Sequence, residues 1–204
     1  AHTAIVAMVT RMTPQRGFDL VQCVLDELMD SEDMAFVLLG TGNAEYEDFM
    51  RSAEWRHKGR LCAYIGYDEA LSHRVYAGSD FLLMPSSFEP CGLSQMIAMR
   101  YGTLPIVRET GGLRDSVQPY NRFTGEGTGF SFANFNAYEL AETVRRALAL
   151  YRDEHDAYLR VQRQAMVQDF SFTRSAEDYA HLYLLLLPED TAPKHDAGDE
   201  AFRR

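Results

Sequence analysis

The sequence has few cysteines, and they form no pattern. Among its 204 residues are three cysteines, Cys23, Cys62 and Cys91, which lie far apart with no CxxC motif or Cys/His cluster. Such spacing predicts neither a disulfide framework nor a zinc site. A DxD-type motif that would suggest a metal-bridged ligand is also lacking. We therefore expect a reduced, cytoplasmic protein that needs no metal or other cofactor.

Basic residues and long apolar runs are also scarce. There are 20 Lys and Arg against 30 Asp and Glu, which gives a net charge of −10. Nucleic acids and anionic membranes select basic patches, so we expect neither as a partner. No apolar run approaches the roughly 20 residues that a membrane-spanning helix needs, and the amino end lacks the layout of a signal peptide. The chain starts without Met and almost directly in a predicted strand, so we expect a piece of a longer protein.

Several catalytic motifs are missing. The sequence contains no Walker loop and no GxSxG elbow, and its first predicted strand is followed by TRMTPQRG rather than GxGxxG. These absences disfavour a P-loop nucleotide hydrolase, a serine hydrolase of the α/β type and a plain NAD-binding domain.

The apolar pattern that is present predicts an α/β fold. With 46% apolar residues, the chain is long enough for one such domain but not for two full ones. Short β-branched or aromatic runs alternate with amphipathic stretches of helical length, which is typical of a parallel sheet. The predicted strands are residues 4–9, 35–39, 61–65, 80–84, 104–107 and 129–131. The predicted helices are residues 17–29, 44–57, 69–77, 93–101, 113–117, 136–152, 156–169 and 173–187.

This order of elements predicts a Rossmann-like, doubly wound parallel sheet of about six strands with helices on both faces. Three consecutive helices follow the sheet. We expect residues 1–187 to form one domain. Residues 188–204 are rich in Asp, Glu, Pro and Gly, and we expect a disordered tail there.

The loops that follow the first three strands carry candidate ligand contacts, because sites in open parallel sheets form beyond the carboxyl ends of the strands. Arg11 and Arg16 follow the first strand, and their forked guanidinium groups could converge on a diphosphate. Two solvated surface arginines are the alternative. Gly42, after the second strand, allows a ligand to approach the backbone, although most such turns are only turns. Tyr67, after the third strand, could stack on a base or simply be exposed.

The next two loops favour an anion site more strongly. Cys91 and Gly92 lie where a helix is predicted to begin, and the amides of a helix N-terminus can bind a diphosphate. Thr110 and Gly111 form a second glycine turn on the adjacent unit, which makes chance a weaker explanation. Glu89 lies beside this anion site, where a carboxylate is out of place unless it contacts something other than phosphate. We interpret it as the residue that faces a sugar.

The segment FEPCGLSQMIAMRYGTLPIVRETGGLRDSV, together with RMTPQRG, LLGTGNAEYE and IGYDEALSHR, resembles the carboxyl-terminal domain of bacterial glycogen synthases and plant starch synthases. The resemblance covers roughly residues 4–187. These enzymes are family 5 glycosyltransferases of the two-lobed B-type architecture. They transfer glucose, with retention, from ADP-glucose, or UDP-glucose in some members, to the non-reducing end of an α-1,4-glucan.

The resemblance implies that this chain is the donor-binding lobe, with ADP-glucose or ADP as its ligand. The KTGGL loop and the acceptor groove belong to the amino-terminal lobe, which this sequence lacks. The glucan would therefore be bound through that missing lobe, and we expect the chain alone to be inactive.

The resemblance also implies roles for individual residues. Arg11 and Arg16 would contact the donor phosphates, with Arg16 standing where the family usually has lysine. Glu89 would lie beside the transferred glucose, and these three residues are the predicted catalytic set. Ile97 stands where many relatives in the wider superfamily have a ribose-binding glutamate, as is common in glycogen and starch synthases. The remaining predicted donor contacts are Gly42, Tyr67, Cys91, Gly92, Leu93, Thr110 and Gly111.

Other functions remain open at this stage. One is a related retaining glycosyltransferase that uses UDP-glucose or another acceptor, and another is a non-catalytic module that binds a nucleotide sugar. An upstream segment with KTGGL would favour an enzyme, whereas a stand-alone start would favour the binding module.

Overall fold

The computed structural model describes residues 3–186, and the chain divides into two compact units, Ala1–Gln168 and Asp169–Arg204. The predicted tail at residues 188–204 lies outside the described residues. Within the described part, no helix is both long and apolar enough to cross a membrane.

The first unit is built on one sheet of six parallel strands, as predicted. The strands lie in the order β3-β2-β1-β4-β5-β6. Each strand lies within one residue of its predicted bounds at either end. Because β1 connects to β2 on one side and pairs with β4 on the other, the strand order reverses between β1 and β4. Ligands bind at such a switch point in open α/β sheets. The strands are β1 (Ala4–Val9), β2 (Met34–Gly40), β3 (Leu61–Ile65), β4 (Phe81–Met84), β5 (Leu104–Arg108) and β6 (Phe130–Phe132).

Eight helices surround or follow the strands in the described part of the chain. They are α1 (Phe18–Ser31), α2 (Ala44–Arg56), α3 (Glu69–Gly78), α4 (Ser94–Tyr101), α5 (Gly111–Ser116), α6 (Ala137–Asp153), α7 (His155–Met166) and α8 (Phe172–Leu186). All eight were predicted, but α5 begins two residues early, after the extended Thr110, and α7 ends three residues early. A short 3-10 turn at Pro14–Arg16 was not predicted. The helix α8 lies in the second unit, and none of its side chains is buried.

Helices cover both faces of the sheet, as the doubly wound prediction requires. Neighbouring residues of a strand point to opposite faces. Ala7 and Leu82 belong to a small apolar cluster with Tyr76 of α3. Their neighbours Val6 and Phe81 belong to the main core on the other face. The rings of the main core meet edge to face around Phe81, with centroid distances of 6.0 Å to Phe130, 6.1 Å to Tyr151 and 5.6 Å to Tyr158.

Candidate functional site

A cleft lies at the carboxyl edge of the sheet, at the switch point between β1 and β4. It consists of two adjoining cavities of about 350 Å³ and about 280 Å³. Both cavities are lined by Val9, Thr10 and Arg11 from the end of β1 and by Ser94 from the start of α4. The larger cavity extends towards β4, and the smaller one extends towards the ends of β2 and β3.

Two arginines give the larger cavity a positive charge. Arg11 lies two residues after the end of β1, and Arg16 ends the 3-10 turn, so that both line this cavity. Burial lowers the pKa of Arg16, and the nearby positive charge of Arg11 lowers it further. A guanidinium remains protonated in spite of such a shift. Two cations that repel each other in a partly buried cleft make a site that favours an anion.

Glu89 also lines the larger cavity, and it is buried, with 6% of its surface exposed. Its carboxylate forms an ion pair with the guanidinium of Arg16. A buried carboxylate is costly without such a partner. The ion pair therefore explains how an acid can lie next to an anion site. Arg16 thus lines the anion site and, through the ion pair, also contacts the residue that is predicted to face the sugar.

Three hydrogen bonds hold the loop that carries Glu89, two donated by backbone amides and one donated by an arginine side chain. The Ser87 amide donates to the Gln15 carbonyl at 2.9 Å, and the Gly112 amide donates to the Glu89 carbonyl at 3.1 Å. Nη1 of Arg108, at the end of β5, donates to the Ser87 carbonyl at 2.6 Å. A carboxylate on a loop fixed in this way keeps its position without a ligand.

Gln95 fixes the turn that precedes α4, and sequence reasoning did not identify it. Its side chain is fully buried, and its Nε2 donates to the carbonyls of Cys91 at 3.3 Å and Gly92 at 3.0 Å. The same Nε2 donates to Oγ of Ser116 in α5 at 3.0 Å. One signal was available, because Gln95 lies with Ala98 on the buried face of α4, where an apolar residue is usual.

The predicted residues at the start of α4 are brought to the cleft. Gly92 and the exposed Leu93 line the larger cavity, whereas Cys91 does not. Gly92 has a φ of +73°, a left-handed conformation that favours glycine. No side chain caps the N-terminus of α4. The amides of its first turn can therefore serve a ligand.

Tyr67 lines the smaller cavity, and its side chain is 88% exposed. Gly42 lines neither cavity, and its amide donates to Oε1 of Glu47 at 2.9 Å. A Cβ at Gly42 would lie 2.0 Å from the carbonyl oxygen of Met12. Here glycine is needed because two loops of the protein approach each other closely. A contact between Gly42 and the donor stays a prediction.

Thr110 and Gly111 lie behind the Glu89 loop and line neither cavity. A Cβ at Gly111 would lie 2.1 Å from the carbonyl oxygen of Glu89, and one at Gly112 would lie 1.9 Å from that of Cys91. The second glycine turn thus packs directly on the first. Its role in this structure is to position the Glu89 loop, and its contact with a donor stays a prediction.

Among residues 3–186, no group of three or more His, Cys, Asp or Glu side chains is arranged to hold a metal ion. Cys23, Cys62 and Cys91 are free and exposed.

Known proteins of similar sequence and structure point to one family. Residues 2–164 match the family described as glycosyl transferases group 1. A glycogen synthase from Geobacillus thermodenitrificans is 53% identical over 186 residues, covering 91% of this chain and 38% of that protein. A glycogen synthase from Bacillus cereus strain Q1 is 51% identical over 185 residues, with the same shares. The chain thus spans about two fifths of the length of these relatives.

Two solved structures illustrate the likeness in fold. The catalytic domain of starch synthase IV from Arabidopsis thaliana, bound to ADP and acarbose, is 35% identical, with a TM-score of 0.81. The match covers 90% of this chain and 38% of that one. A sucrose-phosphate synthase from Thermosynechococcus elongatus is 22% identical, with a TM-score of 0.66, and covers 90% and 45% of the two chains. This second likeness concerns the fold alone. By the family match and by its identity to these synthases, the chain belongs to the group 1 glycosyl transferases and is similar to glycogen and starch synthases.

Proposed function

We propose that this chain is the donor-binding part of a retaining glucosyltransferase that transfers glucose from ADP-glucose to the non-reducing end of an α-1,4-glucan. The observation that carries the proposal is the meeting of Arg11, Arg16 and the buried Glu89 in one cleft at the switch point of the sheet. The similarity to glycogen synthases and to a starch synthase bound to ADP supports the choice of donor and acceptor.

The two arginines would act on the leaving group. When the bond between glucose C1 and the diphosphate oxygen breaks, negative charge grows on the departing ADP. Arg11 and Arg16 line the larger cavity, in which the diphosphate of the departing ADP would lie. The first amides of α4 lie at the rim of the same cavity. Donors that are already oriented in a partly desolvated site stabilise such charge strongly.

Glu89 would act on the sugar. The glucose ring gains positive charge as ADP departs, and a carboxylate beside it stabilises that charge. In the free protein Arg16 holds this carboxylate by their ion pair. A bound diphosphate would compete for the same guanidinium and so leave Glu89 more available to the sugar hydroxyls.

The other predicted contacts would position the donor. Tyr67, exposed beside the smaller cavity, would stack on the base, while the diphosphate occupies the larger cavity. Gly92 and Leu93 would offer backbone groups to the sugar and the phosphates. The acceptor would be bound by a further part of the longer enzyme. We therefore expect the 204-residue chain to bind ADP but to transfer little glucose.

The test is Glu89→Gln in an enzyme that carries this chain together with an acceptor-binding lobe. We expect the kcat for glucose transfer to fall by about 100-fold or more, with ADP binding within a few-fold of the parent. Glu126→Gln, an exposed carboxylate outside the cleft, is the matched control and should transfer normally. Near-normal transfer by Glu89→Gln would remove Glu89 from the mechanism. Calorimetric titration of ADP and UDP into the chain decides the donor, and tighter binding of UDP would refute ADP-glucose.

A further inference from the structure

Ser94 lies where the two cavities of the donor cleft adjoin. It is partly buried and is the first residue of α4. It lines the larger cavity, proposed for the diphosphate, and also the smaller cavity, proposed for the base. A nucleotide that occupies both cavities therefore passes the Ser94 hydroxyl with its ribose and with the phosphate nearest to the ribose.

Ser94 has a buried partner on another helix. The hydroxyl of Tyr76, in α3, forms a hydrogen bond with the Ser94 side chain. Only 5% of Tyr76 is exposed, and burial raises the pKa of its hydroxyl, so the phenol is protonated at neutral pH. Tyr76 also lines the smaller cavity. One hydrogen bond thus joins the helix that follows β3 to the helix that follows β4, inside the cleft.

The position of Tyr76 is fixed by the protein itself. Its ring belongs to a small apolar cluster with Ala7 of β1, Leu82 of β4 and Ala98 of α4. The hydroxyl of Thr103, buried just before β5, forms a hydrogen bond with the Tyr76 carbonyl. A ring held by packing, on a backbone held by a buried hydrogen bond, keeps its hydroxyl in one place before any ligand binds.

The chemistry of the two hydroxyls decides which proton is left for a ligand. A hydroxyl has one proton to donate and two lone pairs that accept. A phenol is a stronger acid than an aliphatic alcohol, so Tyr76 is the better donor of the two. When Tyr76 donates to Oγ of Ser94, the Ser94 proton is free to be donated into the cleft. A phosphate oxygen is ionised and accepts such a hydrogen bond strongly.

We propose that Tyr76 is a positioning residue for nucleotide binding, which orients the Ser94 hydroxyl so that it donates to the phosphate nearest to the ribose. The proposal rests on the proposed function, in which the cleft holds a nucleotide sugar. Tyr76 acts through Ser94, because a hydroxyl that is oriented in advance loses less entropy on binding than one that rotates freely. The contact is made equally before and during glucose transfer, so it contributes to donor binding rather than to the chemical step.

The test is a double-mutant cycle, measured by calorimetric titration of ADP into the chain. Ser94→Ala should weaken ADP binding by about tenfold, the equivalent of one hydrogen bond to a charged group. Tyr76→Phe keeps the packed ring and loses one oxygen, and it should weaken binding by about threefold. In the Ser94→Ala background, Tyr76→Phe should cause no further loss, because the hydroxyl that it orients is gone.

Tyr101→Phe is the matched control. The Tyr101 hydroxyl forms a hydrogen bond with Nδ1 of His73 at 3.0 Å, and Tyr101 lines neither cavity of the cleft. This variant should bind ADP as the parent does. In an enzyme that carries this chain with an acceptor-binding lobe, Tyr76→Phe should raise the KM for ADP-glucose by about threefold and leave kcat within about twofold of the parent.

ADP binding by Tyr76→Phe that equals that of the parent would overturn the proposal. A loss that persists in the Ser94→Ala background would also overturn it, because Tyr76 would then act independently of Ser94. An equal loss in Tyr101→Phe would do the same. The titration of the parent separates this proposal from the proposed function. A parent that does not bind ADP overturns both, whereas a parent that binds ADP, with Tyr76→Phe unchanged, overturns the positioning role alone.

Discussion

Replacement of Gln95 by leucine would test how the donor cleft is positioned. The amide nitrogen of Gln95 joins the turn at Cys91 and Gly92 to Ser116 of α5 through three hydrogen bonds. Leucine has a similar size and is apolar, so the substitution removes these bonds and leaves the buried volume nearly filled.

The expected loss of stability follows from the bonds of Gln95. The Nε2 amide has two N–H groups, so its three contacts share two donors and amount to about 2 kcal/mol at about 1 kcal/mol net each. Within the described residues, Oε1 of Gln95 is buried with no hydrogen-bond partner, so its removal returns about 1 kcal/mol. We expect the free energy of unfolding to fall by about 1 kcal/mol. The freed turn should also weaken ADP binding by about tenfold, which corresponds to about 1.4 kcal/mol.

The assays are urea unfolding followed by circular dichroism and calorimetric titration of ADP. Gln162→Leu is the matched control, since Nε2 of Gln162 donates to the Gly102 carbonyl at 2.8 Å, away from the cleft. It should lose stability but bind ADP as the parent does. If Gln95→Leu kept its stability to within about 0.5 kcal/mol and kept its ADP affinity, the positioning role of Gln95 would be refuted.

Three more predictions follow from single contacts. Arg16→Lys should bind ADP within a few-fold of the parent, while Arg16→Ala should weaken binding by about tenfold or more in the same titration. Gly112→Ala should weaken ADP binding and lower the melting temperature because its Cβ would lie 1.9 Å from the Cys91 carbonyl oxygen, whereas Gly78→Ala, which has open space, should do neither. Burial raises the pKa of Tyr158, so the contribution of this side chain to native stability is fully present below about pH 10 and is lost as pH rises further. Tyr158→Phe should make that alkaline decline shallower in unfolding measurements, and an unchanged slope would contradict this.

Much of the fold could be predicted from the sequence because the central strands β1, β4 and β5 are buried on both faces. Runs such as Phe81–Met84 are apolar throughout, which is typical of a parallel sheet. Once the strands are placed, parallel pairing brings the loops after them to one edge. Arg11 and Glu89, far apart in the chain, could therefore be assigned to the same cleft.

The supporting contacts of the site could not be predicted because they join residues that are distant in sequence. Nothing local to Arg108 indicates that it donates to the carbonyl of Ser87. Likewise, a glycine such as Gly42 serves a close approach to Met12 of the protein itself, and the sequence cannot distinguish this from an approach to a ligand. Both features depend on how loops pack on one another.

The most direct measurement of the central claim is a crystal structure of the chain, or of an enzyme that carries it, with ADP-glucose bound. We expect the diphosphate between Arg11 and Arg16 in the larger cavity, with the glucose beside Glu89 and the base near Tyr67. A diphosphate bound away from both arginines, or a glucose out of reach of Glu89, would contradict it.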